Sequence, residues 1–185
     1  KPRYDSATGH IVAPNGGMAL TKPENELNPR SPFIMTLEFK LTEAISNKES
    51  ANSAWPLFSY QAARDGGNVV SEFVGVHVID NNPTLTLVTY TDRNLKTLEY
   101  NKWYTLQIAV VPDSDETLKY NDKNELLNST ADARIYLDGE MLGEKYDFGT
   151  RAGALTGGNV RVGIQTAGSH YRFGWEARYV DFQQT

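Results

Sequence analysis

Alternating apolar and polar positions predict β-strands along most of the chain. In the segment 33–41, apolar side chains occupy every odd position and mostly polar ones the even positions. A period of two sustained over this length fits a half-buried strand and not a helix. The segment 103–111 repeats the pattern, with Tyr104, Leu106, Ile108 and Val110 on one face and Trp103 and Gln107 on the other. Both segments are therefore predicted to be strands that turn one face toward a core.

Turn signals divide the rest of the chain into further short strands. Asp80-Asn81-Asn82-Pro83 separates two apolar segments, and Asp138-Gly139 is a strong hairpin signal because Asp-Gly tolerates positive φ. No segment has a helical period with caps, and the polar stretch 115–127 is interpreted as a surface insertion. With the two strands above, about ten strands are predicted, the others being 54–60, 73–79, 84–91, 133–137, 141–148, 159–165 and 172–182. This pattern predicts an all-β fold, a two-sheet antiparallel β-sandwich of the jelly-roll type formed by the single domain 1–185.

Composition narrows the classes of partner. The net charge is −5 and no basic stripe is present, which argues against nucleic acid and against an anionic membrane surface. No apolar run approaches the roughly 20 residues of a membrane span. The absence of cysteine excludes disulfides and thiolate chemistry. Because the chain begins with Lys1 and not with Met, we expect a processed segment of a larger secreted or cell-surface protein, linked to other domains.

Three segments carry a family resemblance. They are 102–110, a strand opened by Trp103; 133–140, a strand ending in Tyr-Leu-Asp-Gly; and 159–164 followed by 173–182. Together they resemble the concanavalin A-like lectin/glucanase superfamily of laminin-G-like jelly rolls. The match covers the C-terminal half, and the N-terminal half fits by strand pattern. Within the superfamily the chain is most similar to the lectin domains attached to bacterial sialidases, through Ala7-Thr8-Gly9 and the strands 35–41 and 177–182. The resemblance implies a two-sheet jelly roll that attaches to glycans and is often joined to a catalytic domain.

Arginines beside aromatic residues indicate a site for an acidic sugar. A guanidinium group can donate two parallel hydrogen bonds to one carboxylate, and an aromatic ring can stack on the apolar face of a sugar. The candidate ligand-binding residues are Trp55, Arg64, Tyr90, Arg93, Tyr171 and Arg172. Trp103 is predicted to pack between the sheets, whereas Trp55 and Trp175 are left open between a sugar platform and a sandwich rim. Asp65-Gly66-Gly67-Asn68 and Asp80-Asn81-Asn82 offer oxygen ligands for a structural calcium ion, which related sandwiches often hold.

A catalytic constellation is not evident in the sequence, and the chain is expected not to be an enzyme. Histidines are few, and no metalloprotease or nucleophile-elbow motif occurs. Glu176 and Asp181 are five positions apart, so on a regular strand they would face opposite sides. The leading hypothesis is a non-catalytic lectin-like module that recognises terminal sialic acid or another acidic glycan and targets an attached glycosidase. The alternatives are a laminin-G-like protein-interaction or adhesion domain, or a small polysaccharide lyase or hydrolase built on His170-Tyr171-Arg172.

Overall fold

Thirteen β-strands account for most of the part of the chain that the computed structural model describes, namely residues 2–14, 17–20, 31–44, 55–64, 69–79, 82–88, 92–112, 122, 131–148, 155–164 and 173–184. The strands are β1 Arg3–Asp5, β2 His10–Ala13, β3 Gly17–Leu20, β4 Phe33–Ala44, β5 Trp55–Arg64, β6 Val69–Ile79, β7 Asn82–Val88, β8 Asp92–Thr97, β9 Trp103–Pro112, β10 Ala131–Leu137, β11 Glu140–Phe148, β12 Leu155–Ile164 and β13 Phe173–Gln184. The prediction of an all-β fold is confirmed.

The strands form two antiparallel sheets. The seven-stranded sheet has the order β1-β2-β13-β4-β9-β10-β11, and the six-stranded sheet has the order β3-β12-β5-β6-β7-β8. Neighbours in each sheet are often distant in sequence, as with β13 between β2 and β4, so the chain passes repeatedly from one sheet to the other. This arrangement is the two-layer sandwich that the alternating pattern predicts. Among the described residues, none lies in a helix long and apolar enough to cross a membrane.

The core lies between the two sheets and is built from alternate positions of their strands. On the seven-stranded sheet the buried positions are the odd ones from Phe33 to Leu41 in β4, the even ones from Tyr104 to Val110 in β9 and the odd ones from Ala133 to Leu137 in β10. On the six-stranded sheet the buried apolar positions are Val74 and Val76 of β6 and Leu85 and Leu87 of β7. Because these residues form one cluster, the predicted shared interior is confirmed.

Trp103 and Trp175 both lie in environments other than those that the sequence suggested. Trp103 was predicted to pack in the core, but it is only half-buried and lies on the outer face of β9, while Tyr104 points inward. Trp175 of β13 is 1% exposed and belongs to the core cluster. The prediction for Trp103 is therefore wrong, because the strand alternation that buries Tyr104, Leu106 and Ile108 necessarily turns Trp103 outward.

The Asp138-Gly139 turn has the geometry that the sequence predicts. Both residues have positive φ, 50° for Asp138 and 81° for Gly139, as a type I′ hairpin requires. Asp138 also binds the neighbouring strand. Its backbone N–H donates to the carbonyl of Thr105, and its carboxylate accepts a hydrogen bond from the backbone N–H of the same residue, each over 2.8 Å. The hairpin between β10 and β11 is thereby fixed in register against β9.

A β-bulge in β13 changes which side chains share the outer face. Ala177 lies opposite Phe39, and Tyr179 lies opposite Glu38, so Arg178 is an extra residue. The bulge shifts the alternation, and Glu176 and Asp181 therefore both occupy register positions on the outer face, opposite Lys40 and Thr36. The expectation that these two carboxylates face opposite sides is wrong for this reason.

Gly174 of β13 is a position at which only glycine fits. A Cβ atom built there would lie 2.8 Å from the backbone carbonyl oxygen of Pro14 and 1.8 Å from Oγ1 of Thr42. The side-chain atom can rotate away, but the Pro14 carbonyl belongs to the backbone that leaves β2, the strand paired with β13. The local close approach of two chain segments thus depends on the missing side chain.

We expect Gly174→Ala to lower the free energy of unfolding by about 1–3 kcal/mol, the usual cost of overpacking a closely packed site. The measurement is urea denaturation of the variant and of wild type. The double variant Thr42→Ala with Gly174→Ala removes the Oγ1 clash and should recover only part of the loss. Full recovery would show that the Pro14 carbonyl does not restrict this position.

Candidate functional site

Of the six residues proposed as a site from the sequence, Trp55, Arg64 and Arg93 lie in described strands. Trp55 and Arg64 begin and end β5, so they are separated by the length of that strand, about 30 Å. Trp55 lies in register opposite Val76 and Arg93 opposite Leu87, and both partners are core residues. Tyr90, Tyr171 and Arg172, together with the alternative candidate His170, lie outside the described residues.

The outer face of the seven-stranded sheet carries a charged cluster around Trp103. The carboxylate of Glu176 accepts a hydrogen bond from Nδ1 of His10 and pairs with Nζ of Lys40 at 3.3 Å. Arg178 donates from Nε to Glu38 over 2.7 Å. These five residues come from β2, β13 and β4, which are adjacent, so the cluster is assembled by strand pairing.

Trp103 contacts three members of the charged cluster. Its ring lies 4.4 Å from the guanidinium carbon of Arg178 and 5.1 Å from Nζ of Lys40, and it meets the ring of His10 edge-on at 5.3 Å between centroids. Cations over an indole ring are attracted by its negative face. The ring is thus already covered by protein cations, and His10, Lys40 and Arg178 already have carboxylate or aromatic partners. This arrangement is that of a stabilising surface network.

Charge compensation also governs the acidity of Glu176. Burial acts most strongly on this carboxyl group and favours its neutral form. The hydrogen bonds from His10 and Lys40 and the charges of these side chains together outweigh burial, and the pKa of Glu176 is lowered from its ordinary value of 4.5. A carboxyl group that donates a proton to a glycosidic oxygen needs a raised pKa, so Glu176 is unsuited to the role of general acid in a hydrolase.

The lowered pKa makes the stability of the fold sensitive to acid. Glu176 contributes stability above its unfolded pKa, and this contribution is lost as the pH falls below about 4.5 and through the lowered pKa of the folded state. We expect Glu176→Gln to be less stable than wild type by about 1–2 kcal/mol at neutral pH, because His10 and Lys40 lose their charged partner. The difference should shrink on acidification. Urea denaturation of both proteins over a pH series measures it, and a constant difference at all pH values would contradict the assignment.

The outer face of the six-stranded sheet differs from that of the other sheet in its charge. Strand pairing places on this face the positions of Arg161 and Ser59, which are opposite each other, and those of Asn159 and Gln61, also opposite each other. His77 of β6 lies opposite Thr84 of β7, next along the same face. In the central strands β12, β5, β6 and β7, the described register places no aspartate or glutamate on this face.

Two polar residues of β7 lie on the outer face of the six-stranded sheet. Thr84 and Thr86 alternate with the core residues Leu85 and Leu87, so they belong to the opposite face, yet they are 5% and 0% exposed. The hydroxyl group of Thr86 lies 3.2 Å from both the backbone carbonyl of Thr84 and Oδ1 of Asn94. Asn94 of β8 is exposed beside them. This outer face therefore has a buried, hydrogen-bonded polar floor with exposed amide groups at its margin.

Sequence reasoning missed His77 and Asn94 as candidate functional residues. Each lies in a strand, and the pairing of β6 and β8 with β7 assigns the positions of both to one face. The sequence signal was an apolar–polar alternation in 73–79 that placed His77 out of phase with Val74 and Val76. The alternation alone does not show which strands lie beside β6, because it carries no information on strand order.

The described residues contain no group of three or more His, Asp or Glu side chains arranged to hold a metal ion. The segments suggested for calcium, Asp65-Gly66-Gly67-Asn68 and Asp80-Asn81, lie outside the described residues, and Asn82 begins β7. The prediction of a structural calcium ion remains a prediction.

Neither a family model nor a curated protein matches the sequence. Solved structures do match the fold. An alginate lyase from Pseudomonas aeruginosa superimposes with a TM-score of 0.60 at 5% identity, covering 100% of this chain and 86% of its own. An endo-β-1,4-glucuronan lyase from the fungus Trichoderma reesei gives 0.51 at 13% identity, covering 100% and 79%. A Trypanosoma rangeli sialidase gives 0.51 at 11% identity, covering 91% of this chain and 25% of the sialidase.

These comparisons establish the fold and correct the functional interpretation. The chain is a two-sheet antiparallel jelly roll, as the sequence predicts. The structures that share it over 99–100% of this chain include two polysaccharide lyases and a putative glycosyl hydrolase from Parabacteroides distasonis. The prediction of a non-catalytic lectin-like module, the preference for terminal sialic acid, the alternative of an adhesion domain and the statement that the chain is not an enzyme are therefore wrong.

Proposed function

We propose that this chain is a polysaccharide lyase that cleaves a polymer of uronic acids by β-elimination and works outside the cytoplasm, as a secreted or cell-surface protein. The observation that carries the proposal is the full-length likeness to an alginate lyase and a glucuronan lyase, both of which act on acidic polysaccharides. The likeness to one quarter of a sialidase chain supports the same fold within a larger enzyme.

The charge of the two outer faces favours the six-stranded sheet as the site. A polyanionic chain avoids a face that carries carboxylates and binds one that offers cations and amide donors. On the seven-stranded sheet, Lys40 and Arg178 are already paired with Glu176 and Glu38. On the six-stranded sheet, the central strands place Arg161, His77 and neutral polar residues on the outer face.

The length of the polar face suits a polymer better than a single sugar. Along β6 the position of His77 is four residues from that of Phe73, whose row leads through Ser59 to Arg161 on β12. At about 3.3 Å per residue and about 4.8 Å between strands, the backbone positions of His77 and Arg161 are roughly 16 Å apart. Several sugar units in a row span that distance.

The chemistry requires a base and a means of neutralising the sugar carboxylate. In a β-elimination the base removes the proton on the carbon next to the carboxylate. The electron pair of that C–H bond forms a C=C bond, the C–O bond to the next sugar breaks, and the leaving oxygen takes up a proton. Histidine is the commonest side chain in such proton transfers. We assign His77 as the base and Arg161 to the binding of the anionic chain.

The proposal is tested by incubating the protein with alginate, with glucuronan and with a neutral β-glucan. The expected result is an ultraviolet absorbance from the unsaturated uronate product with at least one acidic polymer and none with the β-glucan. New reducing ends without that absorbance would indicate hydrolysis and overturn the lyase assignment. Intact polymers in all three reactions would overturn the proposal of an enzyme.

A further inference from the structure

Exposed hydrophobic side chains are concentrated on the outer face of the seven-stranded sheet. Of the five large hydrophobic side chains that are exposed among the described residues, four occupy outer positions of β4, β9, β11 and β13; they are Ile34, Val111, Met141 and Tyr179. Ile34 and Val111 border a cavity of about 190 Å³ whose lining residues are apolar except for Gln183. Exposed apolar residues gathered on one face are typical of a surface that another protein covers.

Two charged side chains flank these hydrophobic residues. Arg134 is exposed on the outer face of β10, opposite Ala109, and Asp181 is half-buried on the outer face of β13, opposite Thr36. In the described part of the structure, neither side chain forms a salt bridge. Their backbone positions are three strands and two residues apart, about 16 Å by ordinary strand spacings, which is too far for an ion pair within one copy. Each of them can therefore pair with an opposite charge on a partner.

A single two-fold axis in the plane of this face pairs its exposed residues with one another. The line from Arg134 to Asp181 and the line from Met141 to Tyr179 both cross the sheet to β13, and both advance by two residues in the same direction. One axis therefore bisects both lines, and it passes beside Ile34. Rotation about this axis places a second copy face to face with the first. Arg134 then lies opposite Asp181, Met141 lies opposite Tyr179, and the two copies of Ile34 meet beside the apolar cavity.

The other acidic residues of this face are compatible with the same axis. Glu38, which already pairs with Arg178, comes to lie opposite Tyr136 of the second copy. Asp132 lies at the end of β10 next to Val111, and the rotation carries it past β13, which borders the sheet at that level. No two of these carboxylates are brought face to face, so the surface is complementary to itself in charge as well as in its apolar contacts.

We propose that this chain forms a two-fold symmetric dimer through the outer face of the seven-stranded sheet. A second copy is the partner that fits, because one rotation matches both the charged pair and the hydrophobic pair. The inference does not depend on the proposed function. The six-stranded sheets of both copies face away from the contact, so the surface assigned to the polymer stays open in the dimer.

The experiment is sedimentation equilibrium over micromolar to millimolar concentrations. The average mass of wild type should approach twice the monomer mass as the concentration rises. Arg134→Asp and Asp181→Arg should each weaken self-association at least about tenfold, because like charges then face each other at two places in the dimer. An equimolar mixture of these two variants should associate as wild type does, since each reversed charge then faces an opposite one. Recovery in the mixture also shows that both variants are folded.

Ile34→Lys tests the contact at the axis, where it brings two ammonium groups together, and it should also weaken self-association. Tyr4→Lys is the matched control, because Tyr4 is more exposed than Ile34 and lies on β1, outside this surface; it should associate as wild type does. Wild type that stays monomeric at every concentration overturns the inference. So does an association that none of the variants at Ile34, Arg134 and Asp181 weakens, because the contact would then use another face. A mixture that fails to associate rules out the pairing of Arg134 with Asp181.

Discussion

Replacement of His77 by alanine is expected to lower kcat/KM on the acidic polymer by roughly 10²–10⁴-fold, the usual contribution of a positioned general base. The expectation follows from the place of His77 in β6, opposite Thr84 and on the outer face, where it is not part of the alternation that forms the core. The melting temperatures of the variant and of wild type are measured in parallel, so that a loss of chemistry is distinguished from a loss of folded protein.

Two further variants make the His77 experiment specific. His77→Gln keeps a polar side chain of similar reach but no basic nitrogen, and it should be as inactive as His77→Ala. His10→Ala is the matched control, because His10 belongs to the ion-pair network on the other sheet, where it binds Glu176 and contacts Trp103. His10→Ala should retain the wild-type rate. Equal losses in the two single alanine variants would remove His77 from the proposed site.

The strands that the sequence predicts best are those at the centre of the seven-stranded sheet. Segments 33–41, 103–111 and 133–137 alternate without interruption because one face is fully buried and the other is polar. In such a strand each position is constrained by the face on which it lies, so that the period of two is visible along the whole segment. These three segments are neighbours in one sheet, and they predict which of its faces is turned toward the core.

The edge strands were not predictable in the same way. β8 contains Leu95 as its only apolar residue, and the bulge at that residue breaks the period of two. β1 and β2 are short and border a sheet edge, where little burial is required. The alternation of apolar and polar residues arises from the burial of one face, so it is weak in strands that bury few side chains. The residue Asn94 was therefore overlooked together with the strand that carries it.

The candidate site depends on strand order, which no local pattern encodes. The sequence suggested arginines beside tyrosines, and such neighbours along a strand point to opposite faces. The structure instead relates Arg161, His77 and Asn94 through the order β12-β5-β6-β7-β8, in which β12 lies beside β5 although the two strands are distant in sequence. The functional prediction failed for a related reason. A lyase needs only a few catalytic residues, and their types also occur on ordinary protein surfaces. Only their arrangement in space distinguishes the catalytic residues from ordinary surface residues.

Replacement of Trp175 by alanine is expected to have the largest effect on stability, lowering the free energy of unfolding by about 3–5 kcal/mol. Trp175 is 1% exposed, and β13 holds it opposite Leu41 of β4 and Ala13 of β2 in the core cluster. A loss of this size is a large part of the stability of an ordinary domain. Trp175→Phe, which leaves a smaller cavity, should lose less and should still fold.

Trp103→Ala provides the comparison that tests why the two tryptophans differ. Trp103 is half-buried, and its main contacts are the cations of Lys40 and Arg178, so we expect a loss of about 1 kcal/mol. Urea denaturation of Trp175→Phe, Trp175→Ala and Trp103→Ala, followed by circular dichroism, measures the three losses. A larger loss for Trp103→Ala than for either Trp175 variant would mean that the alternation of β9 is shifted by one residue. Tyr104, Leu106 and Ile108 would then face water, and the sandwich core described above could not exist.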